Sequence, residues 1–112
     1  MTERELPDVV VFDNMSRPVR VLIAHSPIAD KVKLFDRGSM IGAAGMVTEV
    51  QPQLLPLHMW STGEQVFWQY LASLAGQGQV NLYELANYFR GSGQIVAIRD
   101  AFESTCGLVD AG

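Results

Sequence analysis

Cysteine is almost absent from this chain: Cys106 stands alone, so no internal disulfide is available, and a single thiol suits a reducing compartment. Histidine is nearly as scarce. His25 and His58 are the only two, and with Cys106 they lie too far apart in sequence to supply the ligand spacing of a metal site. Charge is thin as well, 18% of residues against a usual value of about 25%. No apolar run approaches the roughly 18 residues needed to cross a membrane. The opening residues MTERELPD are charged and lack the apolar core of a signal peptide, so the expected location is the cytoplasm. Cations never cluster. Residues 1–59 carry six Lys/Arg against seven Asp/Glu, and residues 60–112 carry two against five. Binding to a phosphate backbone draws most of its affinity from clustered cations, so nucleic-acid binding is disfavoured.

What is present fits a single domain of 112 residues, 48% of them apolar, around one core. A small domain has much surface to cover, and few charges here to cover it with. Apolar surface left over points to a protein partner or to a homodimer.

Four short segments read as strands. They are Asp8 to Asp13, Val19 to Ala24 with Val19, Val21 and Ile23 on one face, Lys31 to Asp36, and Met46 to Val50. Lys31 and Lys33 alternate with Val32 and Leu34, the pattern of an edge strand with one wet face. Asp36 to Ser39 reads as a turn, and Pro52 and Pro56 bracket an irregular link.

From Ser61 the period changes to that of a helix. Phe67, Tyr70, Leu71 and Leu74 follow the i, i+3, i+4, i+7 spacing, and Ser61 with Glu64 forms a capping box. Gly76-Gln77-Gly78 stops this helix. A second starts at Asn81, with Leu82, Leu85, Ala86 and Phe89 on one face and Glu84 in the favourable third position, and Arg90-Gly91-Ser92-Gly93 breaks it. A third, Gln94 to Thr105, places Ile95, Ile98 and Phe102 together and ends at Gly107. Strands precede helices, which argues for an α+β fold. The expectation is a small antiparallel sheet of three or four strands packed on a three-helix C-terminal half. The domain would be strand-rich over 8–50, irregular over 51–60 and helical over 61–106.

Site chemistry is sparse. His25 has Ser26, Asp13, Asp30 and Asp36 as possible acid–base neighbours, but nothing in the spacing fixes their geometry. Gly38, Gly42 and Gly45 meet neither the P-loop nor the dinucleotide spacing. Cys106, with Glu103 and Asp110 for neighbours, reads as a packing residue. No catalytic, cofactor or metal residue is assigned.

Residues 80–102, VNLYELANYFRGSGQIVAIRDAF, resemble the helix-turn-helix of small transcriptional regulators, with Ala86 where two helices would cross. The resemblance implies a DNA-binding regulator using residues 81–105, with Gln94 and Arg99 reading bases. Arg90 stands where that family has glycine, and Arg99 where it has an apolar residue.

The remaining signal is aromatic. Met59 and Trp60 precede the first helix, Trp68 lies about 100° round from Phe67, and Tyr83 falls off the stripe of the second, which also carries Tyr88. Tyr and Trp off a core face are interface residue types. With Arg90 and Arg99 they are the candidate partner-binding residues. The function expected is a non-enzymatic interaction or regulatory module, homodimeric or partner-bound. The alternatives are the DNA-binding regulator, and a small ligand-binding protein or enzyme around His25.

Overall fold

A computed structural model describes residues 6–37, 47–53 and 55–107. The turn expected at Asp36 to Ser39 and the glycine segment around Gly38, Gly42 and Gly45 lie wholly or partly outside them. Within them the fold is α+β, with a three-stranded antiparallel sheet and four helices.

The first strand, β1 (Val10–Asp13), ends where Asn14 takes a positive φ of 58° and turns the chain. The next element is a helix, α1 (Arg17–Ala24), and not the strand expected at 19–24. Six apolar-rich residues fit both periods. Val19, Val21 and Ile23 alternate, but Val19, Leu22 and Ile23 also share one helical face, and those three are buried while Val21 is exposed. Pro18 sits in the first turn, where its missing N–H costs nothing. After a short 3₁₀ turn come β2 (Val32–Asp36) and β3 (Val47–Pro52). Pro52 closes β3 at its end, where a proline is tolerated.

Sheet order is β1-β3-β2. Both outer strands run antiparallel to β3, so β1 and β2 are parallel to one another with β3 inserted between them, a split β-α-β unit. Val10 faces Val50, and Leu34 faces the same residue from the other side. Val10, Phe12, Thr48, Val50 and Val32 form the buried face. β2 takes an edge, as its lysines suggest.

The helical half matches the periodicity. The helices are α2 (Thr62–Leu74), α3 (Leu82–Phe89) and α4 (Gln94–Thr105). The capping box forms in both directions: Glu64 N–H donates to Ser61 Oγ at 3.3 Å and Ser61 N–H to Glu64 Oε1 at 2.9 Å. At the other end α2 closes in a Schellman motif. Gly76, at φ 75°, lets Gln77 N–H reach Ala72 O at 2.8 Å and Gly76 N–H reach Ser73 O at 3.1 Å.

That turn aims Gln77 at the sheet. Arg37 N–H to Val47 O and Gln53 N–H to Lys31 O extend the β2–β3 ladder at its two ends, so odd residues of β2 bond to β3. By the alternation of an antiparallel ladder, even residues of β1 also bond to β3, and its odd residues point outward. Gln77 meets them there. Its Nε2 donates to Val9 O at 3.0 Å, and its Oε1 accepts from Val11 N–H. One side-chain amide thus occupies the outer edge of β1 as a neighbouring strand would. Trp68 Nε1 donates to Pro7 O at 2.9 Å just ahead of it.

Replacing Gln77 with Ala should therefore raise amide exchange at Val11 while leaving Val10, bonded inward to β3, protected. The expected loss of stability is about 1 kcal/mol by chemical denaturation. Equal exchange at both amides would contradict the edge-capping role.

Candidate functional site

The interior is organised by α2. Val66, Phe67, Trp68, Tyr70, Leu71 and Ala72 are all buried, which leaves it almost no outward side. β1 packs along it, Phe67 meets Phe89 of α3 edge to face at 5.8 Å between centroids, and the Tyr70 hydroxyl donates to Ile98 O of α4 at 2.6 Å. An offset of about 100° from the apolar stripe gives no exposure on a helix enclosed this way. Trp68 is accordingly an interior residue, and so is Trp60. Their rings meet edge to face at 5.6 Å, and Trp60 Nε1 donates to Leu55 O at 3.1 Å. Neither indole is exposed, contrary to the surface position expected of them.

The other candidates are on the surface. Tyr83, 73% exposed, and Tyr88 stand about 140° apart round α3, so they do not share one face. Tyr88 lies over the first turn of α2, where a Cβ added to Gly63 would stand 3.3 Å from its ring. Met59 is exposed three residues before α2 begins. Arg90 donates to Asn87 Oδ1 at 3.1 Å, and Arg99 pairs with its neighbour Asp100 at 3.1 Å. Exposed pairs of this kind hold their partners loosely.

Periodicity alone did not find two of the exposed residues. Leu82 and Phe102 each belong to an apolar stripe, yet Leu82 is 70% and Phe102 56% exposed, and Ile95 is exposed beside Phe102. The physical reason on α4 is rotation. Its buried residues are Ile98 and Ala101, turned toward α1, which leaves Ile95 and Phe102 about 80° off the packed face. On α3, Leu85 and Phe89 meet α2, and Leu82 sits a turn earlier. Cys106 is exposed too, not packed as its sequence context suggests.

His25 and Ser26 do not assemble a nucleophile. The Ser26 hydroxyl is buried in its own turn, donating to Ile23 O at 2.7 Å and accepting from Ile28 N–H at 3.3 Å. His25 is exposed, and its carbonyl accepts from Gln94 Nε2 at 3.1 Å. Asp36 is engaged elsewhere: Arg20 donates to its Oδ1 at 2.6 Å and the buried Thr48 hydroxyl at 2.7 Å. These bonds hold the Asp36 carboxyl below its usual range. They tie α1 to the sheet. Among the described residues no three His, Cys, Asp or Glu side chains gather as metal ligands, and no helix is long and apolar enough to cross a membrane.

Two further shifts arise from packing. Burial pushes the Glu64 carboxyl up, but Lys31 at 2.6 Å and the Ser61 amide and hydroxyl outweigh it and leave it below its ordinary value. Burial raises the Tyr70 phenol to about 12, with a smaller contribution from Cys106. Comparison with family models, with curated proteins and with solved structures found no match, so what this surface does rests on its own geometry.

These shifts make stability depend on pH. Asp36 and Glu64 bind protons less readily folded than unfolded, so their contribution is complete above the ordinary values of 3.8 and 4.5 and is lost as pH falls below them. Tyr70 works in the opposite sense. Its contribution is complete below 10.0 and is lost as pH rises toward about 12. Urea midpoints across pH should fall at both ends, and Tyr70→Phe should remove the alkaline fall while leaving the acid one.

Proposed function

We propose that this chain is a non-enzymatic interaction module that works through the exposed apolar side chains of α3 and α4, pairing with a copy of itself or with a protein partner. One observation carries the reading. Nine large apolar side chains are exposed among the described residues, and six of them, Leu82, Tyr83, Tyr88, Ile95, Val96 and Phe102, lie on these two short helices. Single exposed apolar residues are ordinary; their concentration on one helical pair is what marks a surface for burial. Tyr83 and Phe102 are of the residue types that anchor interfaces.

The chemistry of α4 supports a protein surface over a nucleic-acid one. Arg99 has the carboxylate of Asp100 beside it, and Glu103 comes one turn later. Those carboxylates would oppose a phosphate backbone.

The test is the association state and surface of the pure protein. Wild type should self-associate or bind an apolar dye, and Tyr83→Ser with Phe102→Ser should weaken whichever occurs. Both residues are exposed, so thermal stability should change by no more than about 0.5 kcal/mol per substitution. A monomer at every concentration that binds no dye would overturn the proposal.

A further inference from the structure

Four residues of α4 form one exposed stripe along its whole length. Taking about 100° per residue, Ile95, Arg99, Phe102 and Cys106 fall within an arc of about 60°. Cys106 belongs to the helix in its bonding, since its N–H donates to Phe102 O at 3.0 Å. The order along the stripe is apolar, cation, aromatic, thiol, at spacings of four, three and four. That is the spacing of a helix–helix seam.

Resting on the interaction reading above, we infer that the occupant of this stripe is α4 of a second copy, laid antiparallel across a two-fold axis. The stripe is complementary to itself in that direction alone. Antiparallel, Ile95 meets the second copy's Cys106 at each end, and Arg99 meets its Phe102 in the middle, a guanidinium against a ring. Arg99 then also lies beside the second copy's Glu103, one residue further along. Among the described residues Arg99 pairs only with the adjacent Asp100, at an exposed site, and Glu103 has no cation partner. Both charges are therefore available across the axis. Parallel pairing would instead stack Arg99 on Arg99. A two-fold contact repeats each of these interactions, as isologous interfaces do. A single helix of this length covers less than the roughly 800 Å² per partner of a standard interface, so the dimer dissociates on dilution.

Sedimentation equilibrium of the full chain over a concentration series tests this. Wild type should move from 12.3 kDa toward twice that mass. Arg99→Glu and Glu103→Arg, each checked for folding by circular dichroism, should each weaken dimerisation by about tenfold, because each puts like charges together twice. The double variant R99E/E103R should restore it. Under mild oxidation Ile95→Cys should give a disulfide between residue 95 of one copy and Cys106 of the other; 95–95 or 106–106 bridges instead would overturn the antiparallel register. A dimer indifferent to both charge reversals but broken by Tyr83→Ser would overturn the α4 seam and leave the wider interaction reading standing. A monomer that still binds apolar dye would do the same. A monomer without dye binding would overturn both.

Discussion

Three hydrogen bonds from α2 and its closing turn to the start of the chain hold the two halves of this protein in one arrangement. Trp68 is fully buried, and an indole N–H in such a place must find an acceptor. It finds Pro7 O. Two turns further along, the Gln77 amide takes the outward groups of Val9 and Val11. All three acceptors and donors on the far side are backbone, so they fix a strand and not merely a side chain. The sheet is thereby set at one height along α2, and the apolar face of Val10, Phe12 and Val50 is brought over the helix. On the opposite side Lys31 reaches Glu64 at 2.6 Å, linking the start of β2 to the cap of the same helix.

With α2 enclosed, the remaining helices divide the leftover surface between them. α1 takes one side of α4 and is itself pinned to the sheet through Arg20, Asp36 and Thr48. α3 reaches α2 through Leu85 and Phe89, with Tyr88 over the first turn of α2, and it also touches α4. No fifth helix or second sheet layer among the described residues covers the outer sides of α3 and α4, which is why their apolar side chains stand in solvent.

Much of this was legible in the chain, for physical reasons that differ by element. The capping box at Ser61 and Glu64, the stop at Gly76 and the helix start at Asn81, whose side chain accepts from Glu84 N–H at 3.1 Å, are local chemistry and settle helix ends without help from tertiary packing. The 17–24 segment was not legible, because Val19, Val21, Leu22 and Ile23 satisfy a period of two and a period of 3.6 together; only the neighbours decide. Exposure was harder still. Trp68 is off the stripe and buried, while Phe102 is on the stripe and exposed. The stripe identifies a helix, but how many sides of that helix are covered depends on what the rest of the chain brings to it. The Gln77 contact had no signal in the sequence beyond a glycine on either side.

The placement of β3 between β1 and β2 has a consequence for how the chain is made. Two parallel strands with a third strand between them cannot bond to each other, so β1 and β2, which both precede β3 in the chain, form no ladder until β3 has been made. Every sheet hydrogen bond waits for residues 47–52, and every strand edge that Gln77 shields waits for residue 77. During synthesis β1 is therefore open on both edges until β3 is made and on its outer edge until Gln77 is made, the condition in which strands pair with the wrong partner.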